Sequence, residues 1–204
     1  INTSTNFPTR VVSKAELESL LPAGAVHQGM ALSCYPLQSE ETDSFLKKIA
    51  TKDKSVLLLL DQVTDPHNVG AMLRSAVAFH ADAVFMPADG APDETGVLAK
   101  SASGALDMIP LIKVTNLTRL MEKLKEQEFW CIGMDGNAPK AAYDDPLPKK
   151  CAFVMGSEGE GLRRLTRETC DYMTKLPIDS KIDSLNVSNA AAIVLYEWSR
   201  QNHD

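Results

Sequence analysis

The stretch Val56-Leu-Leu-Leu-Leu-Asp-Gln-Val-Thr-Asp-Pro-His-Asn-Val-Gly-Ala-Met-Leu-Arg74 decides the fold. A short apolar run that breaks into a polar loop reads as a buried strand over Val56–Asp61. Val69, Met72, Leu73, Ala76 and Val77 then form one apolar stripe of a helix over Pro66–Phe79. The same alternation continues outward. Strands are predicted over Ala83–Met86, Ile109–Val114, Phe129–Met134, Cys151–Met155 and Tyr172–Leu176. Helices are predicted over Thr95–Ala105 and Leu117–Gln127, with a short one from Leu162 and a closing one capped by Ser188. Strands alternating with helices mean an α/β fold whose parallel sheet is covered on both faces. Ligands of such sheets sit beyond the carboxyl ends of the strands, so the loops there carry the functional reading.

Three of those loops are unusual. In the first, Gly70 and Arg74 lie four residues apart on a flank of the apolar stripe. Helical side chains lean toward the N-terminus, which sends the Arg74 guanidinium toward the strand ends. The plainer alternative is a helix-flank arginine in a salt bridge. In the second, Gly156-Ser-Glu-Gly-Glu-Gly161 succeeds a buried strand. Three glycines permit positive φ and close approach, while two acids disfavour a polyphosphate ligand. A surface turn is the bland reading. The third, Leu176-Pro-Ile-Asp-Ser-Lys-Ile-Asp-Ser-Leu-Asn-Val-Ser188, is polar and leads into three alanines that leave the helix start bare. Ile193, Val194 and Leu195 are expected to bury that helix, and Trp198 to close it.

Composition narrows the class. The 204 residues suit one sizeable domain, and 44% apolar with 24% charged content is ordinary for a globular chain. No apolar run reaches the length of a membrane span. Cys34, Cys131, Cys151 and Cys170 have no paired spacing and read as buried free thiols in a reducing, cytoplasmic setting. Neither a dinucleotide glycine fingerprint nor a phosphate-binding P-loop is present, which removes a nicotinamide dehydrogenase. The net charge of −6 argues against nucleic-acid binding over the whole surface. Arg163, Arg164 and Arg167 could serve as a local phosphate patch or as a solvated helix face. His67 reads as a satisfied loop residue, and His27 and His80 are not needed for chemistry.

Residues 1–45 differ in character from the rest of the chain. Val11–Leu21 has helical periodicity, with Ser13 and Glu16 spaced as a capping box, and Val26–Tyr35 reads as extended. Too little apolar surface lies here for a separate core. Ile1 is not an initiator methionine, so the chain reads as a fragment or processed product, and an organellar address is open.

Taken in order, these segments resemble the three motifs of the SpoU-type (TrmH-type) RNA ribose 2′-O-methyltransferases of the SPOUT superfamily. Asn68-Val-Gly-Ala-Met-Leu-Arg74 is similar to the first motif, Phe153-Val-Met-Gly-Ser-Glu-Gly-Glu-Gly-Leu162 to the second, and Ser184-Leu-Asn-Val-Ser188 to the third. Ser101-Ala-Ser-Gly-Ala105 and His27-Gln-Gly29 also look like this family, the latter like the end of a substrate-binding domain. The resemblance implies a deep C-terminal trefoil knot, a homodimer, S-adenosyl-L-methionine as co-substrate and no metal. It implies residues 1–45 as the remnant of an N-terminal substrate-binding domain plus linker, and 46–204 as the catalytic domain. The substrate it implies is structured RNA, large-subunit rRNA ahead of tRNA; a non-catalytic RNA-binding homologue is the alternative of another class. By motif match, Asn68, Arg74, Glu158, Ser184 and Asn186 fall on catalytic positions. Gly156, Leu176 and Leu185 fall on donor-binding positions, with Met134 and Ile178 beside them.

Overall fold

The structure is a computed structural model that describes residues 8–35, 37, 40–91 and 96–202. It divides into two compact units, residues 1–36 and 37–204.

In the first unit, helix α1 (Lys14–Ser19) is capped by Ser13, whose hydroxyl accepts from the Glu16 N–H at 3.2 Å. Only half of the predicted capping box forms, because the Glu16 carboxylate pairs with Arg10 instead. No residue of α1 is buried. The segment expected to be extended contains a tight turn at His27–Met30. The Met30 N–H donates to the His27 carbonyl at 3.0 Å, and Gln28 and Gly29 have φ of 50° and 83°.

Among the described residues, the second unit is built on six strands: β1 (Ser55–Leu60), β2 (Ala83–Pro87), β3 (Leu111–Val114), β4 (Trp130–Met134), β5 (Lys150–Met155) and β6 (Tyr172–Thr174). Every pairing is parallel and the order is β3-β2-β1-β5-β4-β6. Successive side chains of a strand point to opposite faces, and β1 shows the consequence. Val56, Leu58 and Leu60 join one core with α3 (Pro66–Ala78) and α7 (Val187–Asn202). Leu57 and Leu59 join a second core with α2 (Thr42–Ala50) and α5 (Leu117–Lys125). All six residues of β1 are buried, and the five from Val56 to Leu60 are a continuous apolar run rather than an alternating one.

Helix α2 lies across the expected domain boundary at 45/46, in a segment read as linker. Phe45, Leu46 and Ile49 are nearly fully buried, and Phe45 meets Phe85 edge-on with ring centroids 5.6 Å apart. Each such burial contributes about 1.5–3 kcal/mol, so α2 belongs to the sheet's second core. The expected helix start at Thr95 lies outside the described residues. The segment beyond it forms α4 (Gly96–Ala102) and a separate 3₁₀ turn, Ala105–Asp107, not one helix to Ala105. Left-handed Ser103 and Gly104 divide the two. The short helix predicted from Leu162 is α6 (Arg164–Thr169). In α7, Val194, Leu195 and Trp198 are buried, but Ile193 is 45% exposed, contrary to expectation; it lies on the opposite face from Val194 and Leu195's shared stripe. Cys131 and Cys151 are buried free thiols and Cys170 a half-buried one, and burial raises all three, Cys131 and Cys170 to about 12. Cys34 departs from expectation, being exposed.

Helix α3 packs on α4 through Gly70. A Cβ there would lie 2.5 Å from the Ser101 Cβ and 2.8 Å from the Ala102 backbone nitrogen. Backbone cannot swing aside as a long side chain can, so Gly70→Ala is expected to destabilise the fold by about 1–3 kcal/mol, read as a lower midpoint in urea denaturation.

Candidate active site at the carboxyl ends of β1 and β5

Strand order places β1 and β5 side by side while the connections leaving them diverge. Such a divergence is where open α/β sheets bind ligands. β1 leads into α3, whose N-terminus is set by Asp65, which accepts the His67 N–H at 3.0 Å, and by Pro66 at the first helical position. β5 leads into the glycine-rich loop, which turns back on itself through paired bonds between Ser157 and Gly161. A Cβ on Gly156 would collide with the backbone of Gly161 and Leu162. Glycine is required there by the loop's own closure.

The two loops are joined below the surface by an ion pair that no motif foretold. Asp61, the residue after β1, is fully buried. Its carboxylate accepts from the Arg163 backbone N–H at 2.9 Å, from Nε at 2.7 Å and pairs with Nη2 at 2.6 Å. The only hint in the sequence was an acid placed directly on the end of a wholly apolar strand. Arg164 pairs with Glu168 and Arg167 with Asp135. All three arginines of the candidate phosphate patch therefore have acidic partners within the chain. Burial alone would raise the Asp135 carboxyl. Hydrogen bonds from Asn137 and the Arg167 guanidinium outweigh it and hold that carboxyl below its ordinary value.

Above this pair, three of the predicted catalytic residues meet. Asn186 Nδ2 donates to Glu158 Oε1 at 2.8 Å and to Asn68 Oδ1 at 2.9 Å. Asn68 Nδ2 donates to the same Glu158 oxygen at 3.3 Å, and the Val187 N–H approaches it at 3.4 Å. On its other side, Asn186 Oδ1 accepts from the Ser188 N–H at 2.9 Å, the Ser188 hydroxyl at 2.5 Å and the Asn189 N–H at 3.4 Å. Asn186 is therefore the N-cap of α7, and the expected cap Ser188 is the second helical residue, hydrogen-bonded to it. One amide joins the helix start to the cluster: its oxygen caps, its nitrogen faces a carboxylate. A flipped amide would set oxygen against oxygen, so the network determines the orientation. Glu158 lies at the positive end of a sixteen-residue helix, where an anion is favoured. Its Oε2 has no partner among the described residues.

Arg74 and Ser184 are outside this network. Both are exposed, and neither makes a hydrogen bond or ion pair among the described residues. Arg74 lies six residues beyond Asn68, about 120° around α3 from it. It shares a helix face with His67, whose Nδ1 is 3.0 Å from the Ser101 hydroxyl. The salt-bridged alternative for Arg74 is not what the structure holds.

The predicted donor-binding residues fall at or beyond the carboxyl ends of β4, β5 and β6. Met134 closes β4, Gly156 succeeds β5, and Leu176, Ile178 and Leu185 line the segment between β6 and α7. Met134, Leu176 and Leu185 are half-buried, and Ile178 is 38% exposed. The backbone N–H groups of Leu176, Ile178 and Leu185 have no partner among the described residues. Apolar side chains beside free main-chain donors fit an adenosine, whose faces are apolar and whose edge accepts hydrogen bonds. Among the described residues, no group of three or more His, Cys, Asp or Glu is placed to hold a metal ion. No described helix is long and apolar enough to cross a membrane.

The SpoU rRNA Methylase family model matches residues 55–196, which contain every residue of this cluster. The chain belongs to that family. It is 45% identical over 178 residues to the 23S rRNA (guanosine-2′-O-)-methyltransferase RlmB of Salmonella typhi, covering 87% of this chain and 73% of that protein. Among solved structures it is similar to the SpoU methyltransferase AviRb from Streptomyces viridochromogenes, with a TM-score of 0.71 and 26% identity over 77% of this chain and 63% of that one. The same enzyme in complex with AdoMet gives 0.69 and 27%, over 76% and 61%. The chain thus spans less than two thirds of those solved SpoU chains.

The double role of Asn186 in this SpoU site is measurable as stability. Asn186→Ala is expected to cost about 1 kcal/mol, the usual loss of a helix cap, and Ser188→Ala less. Chemical denaturation of the two variants would show the reverse order if Ser188 were the cap.

Proposed function

We propose that this chain transfers a methyl group from S-adenosylmethionine to a ribose 2′-hydroxyl of large-subunit ribosomal RNA. The observation that carries this reading is the Asn68–Glu158–Asn186 cluster at the sheet's switch point, with an unpaired arginine, Arg74, on the helix that supplies Asn68. The 45% identity to a 23S rRNA guanosine methyltransferase favours rRNA over tRNA and guanosine over other nucleosides. An intact polar cluster whose Glu158 Oε2 has no partner among the described residues favours an enzyme over a binding homologue.

The bound donor supplies a methyl carbon made electrophilic by its sulfonium, so the protein's task is chiefly to position the ribose oxygen in line with it. Gly156, Leu176 and Leu185, with Met134 and Ile178, hold the donor. Arg74 stabilises negative charge as the 2′-oxygen loses its proton to solvent; a guanidinium, which carries donors and no acceptor, is better suited to that than to accepting the proton. Glu158 and Asn68 orient the ribose through the cluster they share with Asn186, and Ser184 meets the substrate from the neighbouring loop.

In this reading residues 176–196 thread a C-terminal trefoil knot. The exposed face of α7, with Ile193 at 45% and Tyr196 at 52%, supports a homodimer whose second copy covers it. The site lies wholly within residues 37–204, so that unit is the catalytic domain and residues 1–36 serve RNA selection.

Arg74→Ala is expected to lower kcat for RNA methylation by at least about 10²-fold, on the scale of losing one charge-stabilising donor. Donor affinity by calorimetry should stay near that of the unaltered protein. Full activity in this variant would overturn the assignment of Arg74.

A further inference from the structure

Asp61 and Arg163 belong to none of the three motifs, yet they tie the residue after β1 directly to the far end of the Glu158 loop. Asp61 is fully buried, while the Arg163 side chain is 46% exposed. Asp61 is anchored in turn, its N–H donating to the Met155 carbonyl at 2.7 Å as the last rung between β1 and β5. The loop therefore has both ends tied down. Its start is continuous with β5, and its end at Arg163 is held by three contacts to a single carboxylate. Between them, the Gly156 backbone lies against Gly161 and Leu162, and Ser157 pairs with Gly161. Only the tip, with Glu158, is left to project. A shift of Arg163 would move Gly161 and then Ser157 through contiguous backbone contacts. Glu158 Oε1 would leave the three donors it faces.

We propose that the buried Asp61–Arg163 pair is a positioning device for Glu158, setting the reach of the loop so that the carboxylate meets Asn68, Asn186 and the start of α7. Arg163 is then an internal strut and not an RNA phosphate contact. Its guanidinium is bonded inward to a buried acid, and giving that up for a phosphate would leave Asp61 buried and unpaired, at high cost. The kinetic consequence rests on the methyl-transfer reading; the structural one does not.

Both consequences are measurable. Amide hydrogen exchange at Val187 reports whether Glu158 Oε1 still accepts from it. Arg163→Met is expected to speed that exchange as much as Glu158→Ala does, with Arg163→Lys in between because it keeps the charge but not the guanidinium fork. In RNA methylation, Arg163→Met should lower kcat on the order of 10²-fold with KM for RNA little changed. In a Glu158→Ala background the same substitution should cost little more, since the group it positions is gone. Unchanged Val187 exchange in Arg163→Met would overturn the proposal. So would losses of kcat that simply multiply, or an effect confined to KM for RNA, which would make Arg163 a phosphate contact. If Arg163→Met does not fold, Arg163→Lys carries the same comparisons. Absence of methyl transfer by the unaltered protein would sink the methyltransferase reading alone, leaving the exchange measurement to decide the strut.

Discussion

The parallel pairing of β1 with β2 on one side and β5 on the other determines both the core and the site. A strand enclosed by neighbours at both edges and by helices on both faces must be apolar at every position, and Val56–Leu60 is. Because every strand of the sheet runs the same way, all the loops that can carry chemistry open at one end. Because β1 and β5 adjoin, the segments around Asn68 and Glu158 face each other although 90 residues separate them. The third contributor, Asn186, is the cap of the helix that packs under the same strands.

The cluster is built from amides around one carboxylate, with no second charge bonded into it. Two amide donors and a helix N-terminus shared over one oxygen hold Glu158 in place without neutralising it, and Oε2 stays available. Arg74 is available in the complementary sense, a cation with no acid beside it among the described residues. The neighbouring arginines show the contrast. Arg163, Arg164 and Arg167 each have an acidic partner and hold structure together.

Much of this was legible along the chain. Apolar runs and stripes placed all six strands and the helices that cover the first core. The motifs mark Asn68, Glu158 and Asn186 as site residues, though no pattern along the chain says that they touch. Less legible was α2, whose Phe45, Leu46 and Ile49 lie in a short polar-flanked segment; their burial depends on Leu57 and Leu59 offering a second face, which only the sheet creates. Ser188 looked like the cap because serine caps in isolation. Asn186 took that place because its amide also has a carboxylate to donate to, across the fold.

The sequence by itself determined a parallel α/β sheet, its apolar central strand and the identity of the polar residues at its carboxyl ends, because periodicity and residue chemistry are local properties. Only the tertiary structure decided which of those residues meet. The Asp61–Arg163 pair, the crowding that makes Gly70 and Gly156 glycine, and the separation of Arg74 from the Asn68–Glu158–Asn186 cluster all arise from contacts between segments distant in sequence or turned apart on a helix. A linear pattern carries no such distances, whereas the close packing of strands and helices sets them.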